Sequence, residues 1–176
     1  RTLETRAGVK VHNGSGDHAI QTANIYYTYN GLGEVLTKTE ATGDTVQYVY
    51  DVGGRMKIER RDAFNDFNQQ SVTPTTYYFY NGLNDLTRVE QAGATDTYGR
   101  VTTYQYGAGG RRASMTDAAG AVRTYVYDKA GRLVREEYDQ SAPGSGSPMM
   151  SAIGYDYDSE GRVIQQGMLA LVNGAW

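Results

Sequence analysis

Along most of the chain, bulky residues alternate with polar ones in short runs, and a polar stretch containing glycine ends each run. Residues two apart in a strand share one face, so Tyr48 and Tyr50 are predicted to stand side by side. Asp51 then begins a turn, where a carboxylate accepts a nearby backbone N–H, and Gly54 supplies a left-handed residue at little steric cost. The pattern predicts a strand, a four-residue turn and a returning strand that starts near Arg55.

This pattern, written Tyr-x-Tyr-(Asp or Asn)-x-x-Gly-Arg-apolar, recurs along the sequence and indicates a repeat architecture. Its copies begin at Tyr27, Tyr48, Tyr78, Tyr104, Tyr125 and Tyr155. The clearest copies supply the residues that we identify as the structural repeat motif: Tyr48, Tyr50, Asp51, Gly54, Arg55, Tyr125, Tyr127, Asp128, Gly131, Arg132, Tyr155, Tyr157, Asp158, Gly161 and Arg162. The last three copies each begin 77 residues after the corresponding one of the first three, which predicts two copies of a three-hairpin unit.

Two pairing registers are possible for each motif hairpin. In a symmetric loop, Tyr127 lies opposite Arg132, and the guanidinium covers the phenol ring, a contact worth about 0.5–1 kcal/mol at a wet site. Val126 and Leu133 then meet on the other face of the sheet. A bulge at the turn glycine instead shifts the register by one residue.

Four positions depart from the motif. Asn84 replaces the turn glycine of the third copy, and asparagine also accepts the left-handed conformation. Gly107 replaces the turn aspartate of the fourth copy, which removes the side-chain acceptor. Glu34 and Asp85 replace the arginine of the first and third copies, so those hairpins lack the proposed Arg–Tyr contact.

Turns of similar chemistry lie between the motifs, at residues 41–44 and 117–120. The sequence therefore predicts an all-β fold, a continuous antiparallel meander of about twelve strands, each near the common length of about 5–6 residues. Such a sheet is expected to twist and curve. The predicted organisation is as follows: an N-terminal loop and first-strand region at 1–21, six repeats at 22–166 in units of about 22–98 and 99–172, and a C-terminal strand or tail at 167–176.

Composition supports this interpretation and excludes several classes of function. The chain has 22 Gly and 16 Tyr but only 3 Phe, 1 Trp and no Cys, so disulfides, thiol nucleophiles and cysteine-bound zinc are excluded. The net charge is −3 with no basic stripe, which argues against nucleic acid as a partner. The sequence starts at Arg1 without a signal peptide, and we expect an internal fragment of a longer protein.

From about Thr22 to Gln166 the motif resembles the YD repeat of the RHS (rearrangement hotspot) family, which includes bacterial polymorphic toxins, insecticidal toxin complex components and teneurins. The resemblance implies a hairpin ribbon that spirals into a hollow shell and, in bacterial toxins, encloses a C-terminal polypeptide. It implies a secreted or cell-surface scaffold whose partners are the flanking repeats and the enclosed polypeptide of the same parent protein. No Asp-Pro occurs here, so the family's self-cleaving core segment is not expected in this chain.

We therefore predict a non-enzymatic scaffold without cofactors. The alternative is an extracellular module that binds glycans or a cell-surface partner through exposed tyrosines, although cross-strand packing alone also explains tyrosines at a period of two. An arc of this size is also expected to expose strand edges, which invite self-association.

Two weaker chemical interpretations rest on single segments. Asp156, Asp158 and Glu160 superficially resemble a calcium loop, but the position of the bidentate ligand in such a loop is Gly167, and turn chemistry explains the same window. His12 and His18 lie in a glycine-rich stretch that has no further histidine, which favours solvated loop residues over a metal pair or a general base.

Overall fold

The computed structural model describes residues 2–12, 18–92, 99–139 and 150–169, and these residues form strands joined by turns. No helix occurs among them, and hence none with the length and apolar character needed to cross a bilayer. The strands are β1 (Thr2–His12), β2 (His18–Tyr29), β3 (Val35–Thr39), β4 (Thr45–Tyr50), β5 (Met56–Arg61), β6 (Phe64–Asn65), β7 (Ser71–Val72), β8 (Thr75–Tyr80), β9 (Leu86–Ala92), β10 (Arg100–Tyr106), β11 (Arg112–Thr116), β12 (Val122–Tyr127), β13 (Leu133–Asp139), β14 (Met150–Tyr157) and β15 (Val163–Leu169).

Each long strand pairs with its neighbours in the chain, as the predicted meander requires. The hydrogen-bonded order is β1-β2-β3-β4-β5-β8-β9-β10-β11-β12-β13-β14-β15, while β6 and β7 form a separate small hairpin. The prediction of an all-β fold of consecutive antiparallel hairpins is thus confirmed. By its contacts the chain divides into two compact units, residues 1–78 with 91–99, and residues 79–90 with 100–176.

One turn geometry joins the hairpins throughout the described residues. In nine turns the first residue donates its N–H to the carbonyl of the fifth, and the fourth donates to the carbonyl of the first. The fourth residue has a positive φ in every case, and it is glycine in all but two of them. Gly54 has φ 77° and Asn84 has φ 69°, so both expected left-handed positions are confirmed.

The register at the motif turns is the bulged alternative. Tyr127 pairs with Leu133 after a register shift between Val126 and Tyr127, and Val126 pairs with Arg135. The symmetric loop, with Tyr127 opposite Arg132, is therefore wrong, because the turn closes between Asp128 and Arg132 and leaves Tyr127 opposite Leu133. The same shift occurs in the hairpins formed by β4 with β5 and by β14 with β15.

The N-terminal region is more regular than the sequence suggested. β1 and β2 have 11 and 12 residues, and His12 pairs directly with His18. Both histidines therefore end strands instead of lying within a loop, while residues 13–17 between them lie outside the described residues. Residues 140–149 also lie outside them.

Few side chains are buried. Among the described residues, the buried apolar side chains are Ile25, Val72 and Ala152, with exposed fractions of 4%, 9% and 0%. The chain exposes 12214 Å², whereas a monomer of its mass typically exposes about 8500 Å². Most other residues of the described strands are half-buried, so the sheet lacks an extensive fully buried core within the described ranges.

Candidate functional site

The turn aspartate of each complete motif binds the turn itself. One Asp51 oxygen accepts the N–H groups of Gly53 and Arg55 at 2.8 and 3.1 Å, and the other accepts Nε–H of Arg55 at 2.7 Å. Asp128 and Asp158 make the equivalent bonds. The carboxylate therefore satisfies the amides that the turn leaves unpaired and holds the arginine beside it.

These contacts lower the pKa of all three carboxyl groups. For Asp51 the hydrogen bond from the Arg55 side chain is the largest cause of the lowered pKa. For Asp128 and Asp158 the largest cause is the backbone N–H of the following arginine, and the arginine side chain comes next. In each case the charged form is favoured because every donor faces the carboxylate.

In the first and third motifs the hydrogen-bond donor and acceptor of this side-chain pair are exchanged. Asn81 accepts the turn amides through Oδ1 and donates Nδ2–H to Asp85 at 2.9 Å. Asn30 does the same with Glu34. The two departures from arginine are thus matched by asparagine at the start of the turn, and the side-chain bond between the first and fifth turn residues is kept.

The fourth turn lacks this bond because Gly107 has no side chain, and its arginine contacts the next hairpin. Arg111 lies over the ring of Tyr127, with its guanidinium carbon 5.5 Å from the ring centroid. A methyl group added at Gly131 would approach Arg111 to 2.9 Å. Arg111 therefore fills the space above the neighbouring turn.

The second tyrosine of a motif ties its hairpin to the preceding one. In three consecutive motifs its hydroxyl donates to a backbone carbonyl of the preceding motif. The accepting residue is the one that directly follows the five-residue turn of that motif. The bonds are Tyr106 to Leu86 at 2.8 Å, Tyr127 to Arg112 at 3.0 Å and Tyr157 to Leu133 at 2.6 Å. We call these three bonds the hydroxyl clamps.

Arginine–tyrosine contacts also join neighbouring hairpins. Arg132 lies over Tyr157 of the following motif, 4.8 Å from the ring centroid, and its Nη1 reaches the Asp158 carbonyl at 3.4 Å. The turn arginines Arg111 and Arg132 thus contact a tyrosine of the following motif, whereas Arg112 lies over Tyr104 of its own hairpin at 4.4 Å.

In the sixth motif the first tyrosine contacts a glutamate. Tyr155 and Tyr138 donate their hydroxyls to the two oxygens of Glu136 at 2.9 and 2.8 Å, and Arg123 lies 3.6 Å from the same carboxylate. Burial, followed by the bond to Glu136, raises the pKa of both tyrosines. Glu136 also pairs with Tyr125 across the strands, so one carboxylate connects three strands.

The same arrangement recurs at the equivalent place of the first repeat unit. Glu59 pairs with Tyr48 across the strands, and the hydroxyl of Tyr78 donates to Oε2 of Glu59 at 3.5 Å. Burial, followed by the charge of Glu59, raises the pKa of Tyr48.

Sequence reasoning missed both glutamates. Tyr78 and Tyr155 each lie 19 residues along the chain from the glutamate that they contact, which is beyond the reach of a local motif. A usable signal was nevertheless present, because Glu59 and Glu136 occupy the same position in the two predicted units.

One concave region lies beside the small β6–β7 hairpin. It has a volume of about 540 Å³, and its lining includes Tyr48, Phe64, Lys38, Arg61 and Asp62. Lys38 is paired with Glu40 and Arg61 with Glu59. The pocket thus combines an aromatic wall with charged groups that already have partners.

The structure gives the calcium-like window another role. Asp158 holds the turn, and Glu160 pairs with Arg162 at 2.9 Å. No group of three metal-binding side chains occurs within the described ranges. The arrangement of these acidic residues is that of the motif turn.

The sequence and the fold were compared with known proteins. A family model described as RHS Repeat matches residues 29–65, 80–122 and 113–140, more than half of the chain. No curated protein matches the sequence.

Solved structures with a similar fold include the following three. The crystal structures of TcdB2-TccC3-Cdc42 and of TcdB2-TccC3 each match with a TM-score of 0.52 at 17% identity, over 95% and 96% of this chain. A Photorhabdus luminescens Tc holotoxin pore matches with a TM-score of 0.51 at 17% identity over 94%. The chain spans about a tenth of each of those chains, 10% or 11% of their length.

Proposed function

The chain belongs to the RHS-repeat family, and on that premise we propose that it is a non-catalytic wall segment of a large secreted or surface-delivered toxin-like protein. Its sheet forms part of a shell that encloses or presents a polypeptide cargo. The flanking repeats and the cargo belong to the same parent protein. The work of the segment is mechanical, since it keeps proteases and bulk solvent away from the cargo.

One observation carries this proposal: the polar groups of the motif are used to build the sheet. The aspartates bind their own turns, and the second tyrosines bind the preceding hairpins. A catalytic or ligand-binding motif keeps polar groups available for substrate, whereas these groups stabilise a continuous wall. The sparse burial of the described side chains supports a sheet that needs further covering.

The test uses the full-length protein that carries this segment. Its C-terminal polypeptide is exposed to a protease and compared with the same polypeptide expressed alone. The proposal expects slow cleavage within the intact protein and rapid cleavage of the free polypeptide. Equal cleavage rates would show that no cargo is enclosed.

A matched variant connects the result to this segment. Replacing Tyr127 and Tyr157 with Phe removes two hydroxyl clamps and keeps the rings, so faster cleavage of the C-terminal polypeptide is expected. A Tyr77→Phe variant is the control, because no bond to this hydroxyl is found among the described residues. If the C-terminal polypeptide is cleaved at the same rate in the clamp variant as in the wild type, these hairpins do not contribute to its protection.

Glycan binding is the second candidate, and the pocket beside β6–β7 favours it. Tyr48 and Phe64 offer two aromatic rings within about 540 Å³, and aromatic rings stack on the apolar faces of sugars. If the pocket binds glycans, Tyr48→Ala and Phe64→Ala abolish binding on a glycan array while folding is retained. Tyr125→Ala serves as the control, since Tyr125 is the equivalent tyrosine one repeat unit later and lies outside this pocket.

A further inference from the structure

Two of the motif turns begin with an Asn-Gly pair, Asn30-Gly31 in the first motif and Asn81-Gly82 in the third. These are the motifs in which an acidic residue replaces arginine at the fifth turn position. The three complete motifs instead place a side chain directly after their aspartate: Val52, Lys129 and Ser159. Asparagine deamidates most readily before glycine, because no side chain then shields the backbone nitrogen that attacks the side-chain amide.

The fold does not require glycine directly after these asparagines. The left-handed residue of each turn is the fourth one, Gly33 or Asn84. Gly31 and Gly82 have no positive φ, and a methyl group built on either of them meets no atom of the described residues within 4 Å. Neither conformation nor space explains the glycine, so its distinguishing effect is on the chemistry of the preceding asparagine.

In the first motif turn, the groups around the Asn30 amide match the course of deamidation. Its Oδ1 accepts the N–H groups of Leu32 and Glu34 at 2.9 and 3.0 Å. Negative charge develops on this oxygen when the Gly31 nitrogen attacks Cγ, so both donors stabilise the tetrahedral intermediate. The Nδ2 atom, which leaves as ammonia, donates to Oε2 of Glu34 at 2.5 Å.

The third motif turn repeats this arrangement. Oδ1 of Asn81 accepts the N–H groups of Leu83 and Asp85, both at 2.9 Å, and Nδ2 donates to the Asp85 carboxylate at 2.9 Å. Within the described part of the chain, the N–H of Gly31 and that of Gly82 donate no hydrogen bond, and both glycines are exposed. The attacking nitrogen is therefore not engaged by the turn in either motif.

We propose that the Asn30-Gly31 and Asn81-Gly82 turns are self-modification sites, in which the turn itself promotes conversion of asparagine to aspartate and isoaspartate. The glycine nitrogen loses its proton and bonds to Cγ, and the Cγ–Nδ2 bond breaks. The acidic fifth residue transfers that proton to the leaving nitrogen, which departs as ammonia. Water then adds to either carbonyl of the five-membered imide and opens the ring.

Conversion removes the side-chain bond that closes the turn. An aspartate at position 30 has no Nδ2–H to donate to Glu34, and it places a second carboxylate against the first. Isoaspartate also adds a main-chain carbon to the five-residue turn. The complete motifs have no such conflict, because an arginine faces each turn aspartate. The modification therefore opens the first and third motif turns selectively.

The reaction is followed in the intact chain, incubated in mildly alkaline buffer. Peptide mapping by mass spectrometry measures the replacement of the amide at each asparagine. We expect conversion at Asn30 and Asn81 to be faster than in the same chain unfolded in guanidinium chloride. Asn65 and Asn68, which precede residues with side chains, should convert much more slowly. The other two Asn-Gly pairs of the sequence lie outside the described residues.

Matched variants assign the reaction to each turn. Gly31→Ala is expected to stop conversion at Asn30 on the timescale on which Asn81 converts, because the methyl group hinders the attacking nitrogen. Glu34→Gln keeps an acceptor for Nδ2 but removes the proton carrier. Conversion at Asn30 should then slow by about 10-fold, less than the ~10²–10⁴-fold of an enzymic acid–base group, because water reaches this turn. Asn81 in the same molecule controls for changes in global folding.

The structural consequence is tested with variants that carry the product residue. Combining Asn30→Asp with Asn81→Asp is expected to lower the melting temperature at neutral pH by about 2–4 °C per turn. Adding Glu34→Arg and Asp85→Arg recreates the aspartate–arginine pair of the complete motifs and should restore the melting temperature.

Four results would overturn the proposal. The first is slower conversion in the folded chain than in the unfolded chain. The second and third are conversion at Asn30 at the wild-type rate in the Gly31→Ala variant or in the Glu34→Gln variant. The fourth is an unchanged melting temperature in the double aspartate variant. The proposal concerns the chemistry of two turns, so it is independent of whether the protein encloses a cargo.

Discussion

Tyr127 shows why the second tyrosine of the motif differs chemically from phenylalanine. Its ring lies under Arg111, and its hydroxyl reaches the Arg112 carbonyl at 3.0 Å. The ring contact needs only an aromatic face, whereas the carbonyl needs a donor. This requirement favours tyrosine over phenylalanine at the three motif positions that form hydroxyl clamps.

Replacing Tyr127 with Phe tests the hydroxyl directly. We expect the free energy of unfolding to fall by about 0.5–1.5 kcal/mol, because the Arg112 carbonyl loses its donor while the packing of the ring is kept. Urea denaturation followed by circular dichroism measures the change. Tyr77→Phe should alter stability much less, and an equal loss in both variants would argue against the clamp.

The turn carboxylates predict the response to acid. Since the pKa values of Asp51, Asp128 and Asp158 are lowered in the folded chain, each stabilises the fold above its unfolded pKa of about 3.9. That stability is lost as the pH falls through the lower folded pKa. The midpoint of thermal unfolding should therefore drop when the pH is lowered below about 4.

Asparagine provides the matched control for the acid response. A variant with Asn at all three positions keeps the Oδ1 acceptor that Asn30 uses in its own turn, but it loses the charge pair with arginine. We expect a lower melting temperature at neutral pH and a flatter dependence below about pH 4. A wild-type curve as flat as that of the variant would contradict the assignment.

At the scale of the element, one five-residue turn builds nearly the whole fold. Its fourth residue is left-handed in all nine described cases, and its first residue accepts the turn amides wherever it is Asp or Asn in a motif. The fourth motif is the exception, because Gly107 offers no side-chain acceptor.

A Gly107→Asp substitution should restore the missing side-chain acceptor of this turn. A methyl group built at Gly107 meets nothing closer than 3.9 Å, so the new side chain fits. We expect stabilisation of about 0.5–1 kcal/mol from the acceptor, added to a similar gain from replacing glycine in the unfolded chain.

Gly107→Ala separates the two contributions to this gain. Alanine has the same effect on the unfolded chain and supplies no acceptor, so it should stabilise less than aspartate. Chemical denaturation of the two variants measures the difference. Equal stability of the two would show that the acceptor adds nothing.

Local elements could be predicted from the sequence, whereas contacts between them could not. Tyr48, Tyr50 and Gly54 predicted a strand and a turn because strand faces and left-handed residues depend on neighbours in the chain. The choice between a symmetric and a bulged loop depends on one extra residue, which the motif does not reveal. The clamp from Tyr157 to Leu133 spans 24 residues, and no local pattern encodes such a distance.

At the scale of the whole molecule, each hairpin depends on its neighbours. Hydroxyl clamps and Arg–Tyr contacts join successive motifs, so stability is expected to approximate a sum of hairpin and interface contributions. Strands with neighbours on both sides should then be protected better than strands with one neighbour.

Amide hydrogen exchange tests this gradient. We expect β15 to exchange faster than β12 and β13, since β15 is bonded on one side and the other two on both sides within the described residues. Exchange followed by mass spectrometry of peptides resolves the strands. Equal protection of β13 and β15 would indicate a single cooperative unit.

The two three-hairpin units that the sequence predicts have matching contacts: Glu59 lies between Tyr48 and Tyr78 as Glu136 lies between Tyr125 and Tyr155. We therefore expect a genetic crossover between equivalent points of the two units to delete or add three hairpins together and to rebuild the same tyrosine–glutamate–tyrosine contact at the new junction. Genes built on this plan would change length in steps of three hairpins.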